Sequence, residues 1–132
     1  MTAATAAVRA AIGAALRGDA TLAGVLNGVF DRPAVRASEP YADIADVAAS
    51  DWGTKDRRRR ELRVAVRLRD AGETPVRLGL LVDTAERAIE GLPRDLDGWR
   101  IASCVFLRSR TAGEGPGRWL AVVEYRLRVL EI

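Results

Sequence analysis

At 132 residues and 48% apolar composition, the chain is sized for one domain spanning 1–132 and is too apolar to be disordered throughout. It has no histidine and a single cysteine, Cys104. That excludes a Ser-His-Asp triad, a Cys-His pair, an HExxH metal site and any intrachain disulfide. The net charge is +3, and its basic excess is concentrated between Trp52 and Arg69.

In chain order, Thr2 to Arg17 reads as a helix. Its alanines are strong helix formers, and Val8, Ile12 and Leu16 recur every four residues on one side. Gly18 and Asp19 stop the chain and restart it, and a short second helix covers Ala20 to Leu26 before the turn dipeptide Asn27-Gly28. Val29 to Pro40 is irregular, limited by Pro33 and Pro40. Tyr41 to Val47 alternates as a first strand, and Ala48 to Arg59 reads as an exposed loop around Trp52.

The clearest strand is Glu61 to Arg69. Leu62, Val64, Val66 and Leu68 fall on one face, and Glu61, Arg63, Ala65, Arg67 and Arg69 fall on the other. Half-buried alternation of this kind belongs in an antiparallel sheet with one solvated face. Thr74 then stands as N-cap with Pro75 at the first helical position. From Pro75 to Glu90, Leu78, Leu81, Val82, Ala85 and Ile89 form an apolar stripe, ended by Gly91. Trp99 to Arg108 and Trp119 to Leu130 are the last two strands, joined across the glycine-rich stretch Gly113 to Gly117. The expected fold is α+β: an antiparallel sheet of about four strands with helices on one face, in the order α-(α)-β-β-α-β-β.

No constellation of catalytic groups emerges, so the chain reads as a non-enzyme with no cofactor. Lysine chemistry is limited to Lys55. Asp43 and Asp46 are three apart, which on a regular strand places them on opposite faces, and with Asp51 they make a poor metal site. The glycines near Gly115 lack the Lys-Ser/Thr of a phosphate loop. Cys104 is a small hydrophobe of a strand. No secretory segment and no run of about 20 apolar residues is present, which predicts an intracellular protein without a membrane span.

The basic window carries the interface candidates: Trp52, Lys55, Arg57, Arg58, Arg59, Arg60, Arg63, Arg67 and Arg69. Consecutive arginines attract phosphates without sequence preference, yet they equally suit an acidic protein neighbour. A protein interface is the favoured reading of the run Arg57 to Arg60, with a small basic nucleic-acid-binding module as the alternative. Trp52 either tethers its loop to the core or inserts into a partner, and the tether is favoured.

The ordered segments also carry a resemblance. They are the alanine-rich first helix, Leu22-Ala23-Gly24-Val25, Val29-Phe30-Asp31 with Pro33, Pro40-Tyr41-Ala42-Asp43-Ile44-Ala45, Asp51-Trp52-Gly53-Thr54-Lys55, the helix from Pro75 to Ile89, and Tyr125-Arg126-Leu127-Arg128-Val129. In order and spacing the chain resembles the phage tail-completion or tail-terminator proteins, including those of gene transfer agents.

The resemblance implies a structural subunit of a ring, usually a hexamer in that family, that caps the head-proximal end of a siphophage-like or gene-transfer-agent tail tube and stops its polymerisation. It implies a tail tube protein and a head-tail connector as partners, and DNA passing through the lumen without sequence-specific binding. It further implies assembly in the bacterial cytoplasm and then a place in the particle at the head-tail junction. A head-tail adaptor or another minor tail component is the neighbouring alternative.

Overall fold

The computed structural model describes residues 2–53 and 56–132. Helix α1 spans Ala4–Gly18 and α2 spans Ala20–Val25. A two-residue strand β1, Val29–Phe30, precedes β2, Tyr41–Asp51, and β3, Arg59–Ala71. Helix α3, Val76–Glu90, is followed by β4, Trp99–Gly113, and β5, Arg118–Glu131. The strands form one sheet in the order β1-β2-β3-β5-β4. β1 pairs with β2 in parallel and every other neighbour is antiparallel.

The α+β layer expected from the sequence is present. Both long helices lie on one face of the sheet, and their apolar stripes close the core. Val8, Ile12 and Leu16 of α1 are fully buried, as are Leu78, Ala85 and Ile89 of α3. They meet Leu62, Val66 and Leu68 of β3 and Ala121, Val123, Leu127 and Val129 of β5. Each of these larger aliphatic side chains contributes roughly 1.5–3 kcal/mol by leaving water. Trp99 is buried at the foot of the sheet, and its indole N–H donates to the Thr2 carbonyl at 2.9 Å, tying the start of the chain to β4.

Several boundaries differ from the sequence reading. The sheet has five strands, because β1 adds a parallel pair too short to show a period. The loop expected from Ala48 to Arg59 is shorter than that: β2 continues to Asp51 and β3 begins at Arg59, with ladder partners to the end of β2. β4 likewise runs on to Gly113, which shortens the connecting loop. At α3 the N-cap is Pro75, not Thr74 as expected; Thr74 sits one position before it, with its hydroxyl 3.5 Å from the Val76 N–H. Asp19 is a true cap, accepting from the Leu22 N–H at 2.9 Å to start α2.

Candidate functional site

The sheet face away from the helices is built by strand alternation. From β3 it receives Arg59, Glu61, Arg63, Arg67 and Arg69, and from β5 it receives Glu124, Arg126 and Arg128. β2 contributes Asp43 and Asp46, and β4 contributes Arg108 and Arg110. A bulge at Ala45 shifts the register of β2 between Ile44 and Asp46. The extra residue rotates Asp46 onto the same face as Asp43, where an unbroken strand would have put them on opposite faces. Among the described residues no group of three or more acidic or cysteine side chains is arranged to hold a metal ion.

The charges on this face are largely spent on one another. Asp43, 1% exposed, accepts from Arg67 through Nε (2.8 Å) and Nη2 (2.7 Å) and also from the Ala34 N–H at 2.9 Å. That carboxylate raises the Arg67 guanidinium above its usual pKa, chiefly through the hydrogen bond. Arg69 lies 3.6 Å from Glu114. Arg108 makes a two-pronged contact with Glu124 at 2.9 and 3.4 Å, and Arg128 donates to Glu61 at 3.0 Å. Arg63 stands directly opposite Arg126 in the ladder and has no ionic partner among the described residues. Like charges in that position repel.

Trp52 is held within the chain. Its indole N–H donates to the Val129 carbonyl at 3.3 Å, and its ring lies beneath two guanidinium groups, Arg59 at 5.3 Å and Arg128 at 5.1 Å from the ring centroid. This is the tether anticipated for it, reinforced by cation–π contact.

The four-arginine run is divided by the start of β3. Arg57 is exposed at the turn, and Arg58 lies 3.9 Å from Glu131. Arg59 turns to Trp52 on the open face. Arg60, next along the strand, turns the other way and pairs with Asp51 at 3.2 Å. Arg58 and Arg60 line an open depression of about 330 Å³ beside the first turn of α1, with Ala49 and Trp99. Lys55 lies outside the described residues. The interface candidates therefore do not form one patch. Arg59, Arg63, Arg67 and Arg69 share the open face with Trp52, Arg60 belongs to the helix side, and Arg57 and Arg58 project at one end.

The remaining unusual groups are structural. The Tyr125 hydroxyl donates to Glu90 at 2.6 Å, and burial, then that hydrogen bond and the Glu90 charge, push its pKa upward. Burial likewise pushes the Cys104 thiol upward, which disfavours the thiolate. No helix among the described residues is long and apolar enough to cross a membrane.

With this geometry in place, comparison with known proteins identifies the fold and the family. The family described as "Tail completion protein gp17" matches residues 10–130. The chain belongs to that family. Tail completion is a structural task, and the protein is a non-enzymatic tail-completion protein. No curated protein sequence matches it. Among solved structures, a chain of the "Virion of native gene transfer agent (GTA) particle" is similar in fold. The TM-score is 0.75 at 20% identity, with 98% of this chain and 99% of that chain covered.

The sequence signal missed one part of the site. The bulge that turns Asp46 to the face of Asp43, and the extension of β4 that adds Arg110 beside Arg108, were not expected from the sequence. Between Asp43 and Asp46 lie two apolar residues, Ile44 and Ala45, a break in the alternation of the strand.

Proposed function

We propose that this tail-completion protein is the subunit of a ring, hexameric in the favoured arrangement, seated at the head-proximal end of a siphophage-like or gene-transfer-agent tail tube. There it stops tube polymerisation and presents the surface that joins the neck or connector, leaving a channel for DNA. Its partners are further copies of itself, the tail tube protein and the connector. It is made in the bacterial host and carried in the particle at the head-tail junction.

The observation that carries this reading is the family match across nearly the whole chain, residues 10–130. The fold shared with a chain of a gene-transfer-agent virion is consistent with it. The interface candidates fit it as well. A face whose arginines are mostly tethered by carboxylates offers register and specificity to a neighbour more than raw affinity. It also presents to passing DNA few free guanidinium groups that would stall it. The nucleic-acid-module alternative loses ground because strand alternation divides the arginine run, leaving only Arg57 and Arg58 projecting from the turn.

The test is tube growth. Purified tube protein is polymerised with and without this chain, and tube lengths are measured by electron microscopy. The proposal expects extension to cease when the protein is added, with the protein bound at one tube end only. Unchanged lengths with binding elsewhere in the particle would point to an adaptor instead.

A further inference from the structure

Two stretches of main chain at opposite borders of the sheet have no strand beside them among the described residues. β4 is bonded to β5 alone, and a bridge from Asp95 to Arg100 covers only its start, so its outer border is open from Ala102 to Gly113. β1 borders β2 only at Ala42 and Asp43, so the outer border of β2 is open from Ala45 to Asp51. Neither stretch contains proline or lysine, the residues that usually blunt a strand edge. β4 does carry bulges, near Ala102 and Leu107, but it is regular from Arg108 to Gly113.

The two borders are complementary in charge, face and direction. The β2 stretch holds Asp46 and Asp51 and no basic residue, and the β4 stretch holds Arg108 and Arg110 and no acid. Asp46 and Arg110 lie on the open face, and neither has an ionic partner among the described residues. The β4 border also exposes Val105 (38%) and Phe106 (42%), large apolar groups that a monomer gains nothing by showing to water. β2, β3, β5 and β4 alternate in direction, so β2 and β4 are antiparallel. A rotation about an axis running along the strands preserves their direction. It therefore brings β4 of one copy against β2 of the next in the antiparallel sense, the better of the two pairings.

We propose that neighbouring copies join by strand addition, the open border of β4 pairing with the open border of β2 on the next copy. The sheet then continues from subunit to subunit. Asp46 faces the arginines of β4 across the junction, and Val105 and Phe106 are covered. A closed ring requires two different borders that fit each other, and this chain carries such a pair. The inference rests on the ring reading, and it specifies which surfaces meet.

Hydrogen exchange read by mass spectrometry tests it, on the free protein and on the protein in purified tails whose ends are also imaged. Outward-facing amides of an open border exchange freely, and paired ones are protected. The expected result is slowing by at least about tenfold in both 102–113 and 45–51 on assembly. A ring visible in the images with either peptide exchanging as in the free protein would overturn strand addition and leave the ring standing. Absence of a ring would overturn both. A second arm exchanges the charges: Asp46→Arg and Arg110→Asp each reduce the capped fraction of tails, and the double variant restores it. A double variant no better than either single would overturn the facing of these two groups.

Discussion

Asp43 is sealed beneath the open face of the sheet and holds Arg67 by two hydrogen bonds while also accepting from the Ala34 N–H. One carboxylate thus fastens β2 to β3 and pins the segment after β1 to the sheet border. Removing it leaves a guanidinium and a main-chain N–H without their acceptor. Asp43→Ala is expected to cost about 2–4 kcal/mol, at the lower side of a fully buried pair because Arg67 remains a quarter exposed. Urea unfolding of the purified variant measures this, and a midpoint equal to that of the parent would refute the dual role.

Asp70 is a second sealed carboxylate, held below its usual pKa first by the hydrogen bonds from Arg77 and also by the Ala71 N–H, against the opposing effect of burial. A carboxyl with a depressed folded pKa contributes stability above its unfolded pKa, near 4, and loses it as pH falls through the lower folded value. Asp70→Asn should be less stable at pH 7, and its stability should decline less steeply below pH of about 4. Thermal melts from pH 7 down to 2.5 would show parallel curves if the carboxylate contributed nothing.

Glu86 has the opposite sign. Burial, then the charges of Glu90 and Asp83, raise its pKa, so ionisation in the folded state carries a penalty above that pKa and protonation at lower pH relieves it. Glu86→Gln is expected to raise stability at pH 7 by a few tenths of a kcal/mol, with no gain near pH 3. Melting temperatures at the two pH values decide it, and an equal gain at both would exclude the electrostatic cause.

Trp52 supports the turn that carries Arg57 and Arg58. Trp52→Ala removes the hydrogen bond to Val129 and both guanidinium contacts, at an expected cost of about 1–3 kcal/mol. Limited trypsin digestion should then cleave sooner at Arg57 and Arg58. Unchanged stability and digestion, together with loss of tube capping, would instead make Trp52 a partner contact.

Arg63 faces Arg126 across the ladder and has no carboxylate partner among the described residues. Arg63→Gln relieves that repulsion, so the isolated protein should gain a few tenths of a kcal/mol. Its cost should appear in assembly, as a smaller fraction of capped tubes at equal protein concentration. Neutral behaviour in both assays would remove Arg63 from the interface.

These features differ in how far the amino-acid order reveals them. Leu62 to Leu68 and Leu78 to Ile89 were legible because one side of each element is buried, and burial imposes a period of two or of three to four. Ala48 to Asp51 and Ser109 to Gly113 were not, because both faces of these strand ends are exposed and only the partner strand's hydrogen bonds define them. The bulge at Ala45 was invisible because the residues before it, Tyr41 to Ile44, are buried on both faces and show no alternation, and it reversed the expected relation of Asp43 to Asp46. At the candidate site, the concentration of arginines was plain in the sequence. Which of them are satisfied within the chain depends on cross-strand neighbours far away in sequence, such as Glu124 for Arg108 and Asp43 for Arg67.

The central claim is position in the particle. A cryo-electron reconstruction of the head-proximal tail end, from particles containing this chain, tests it most directly. The account predicts a single ring of this fold on the last layer of the tube and beneath the neck, with a central opening wide enough for DNA. Density for the chain anywhere else along the tail, or particles with that position filled by another protein, would contradict it.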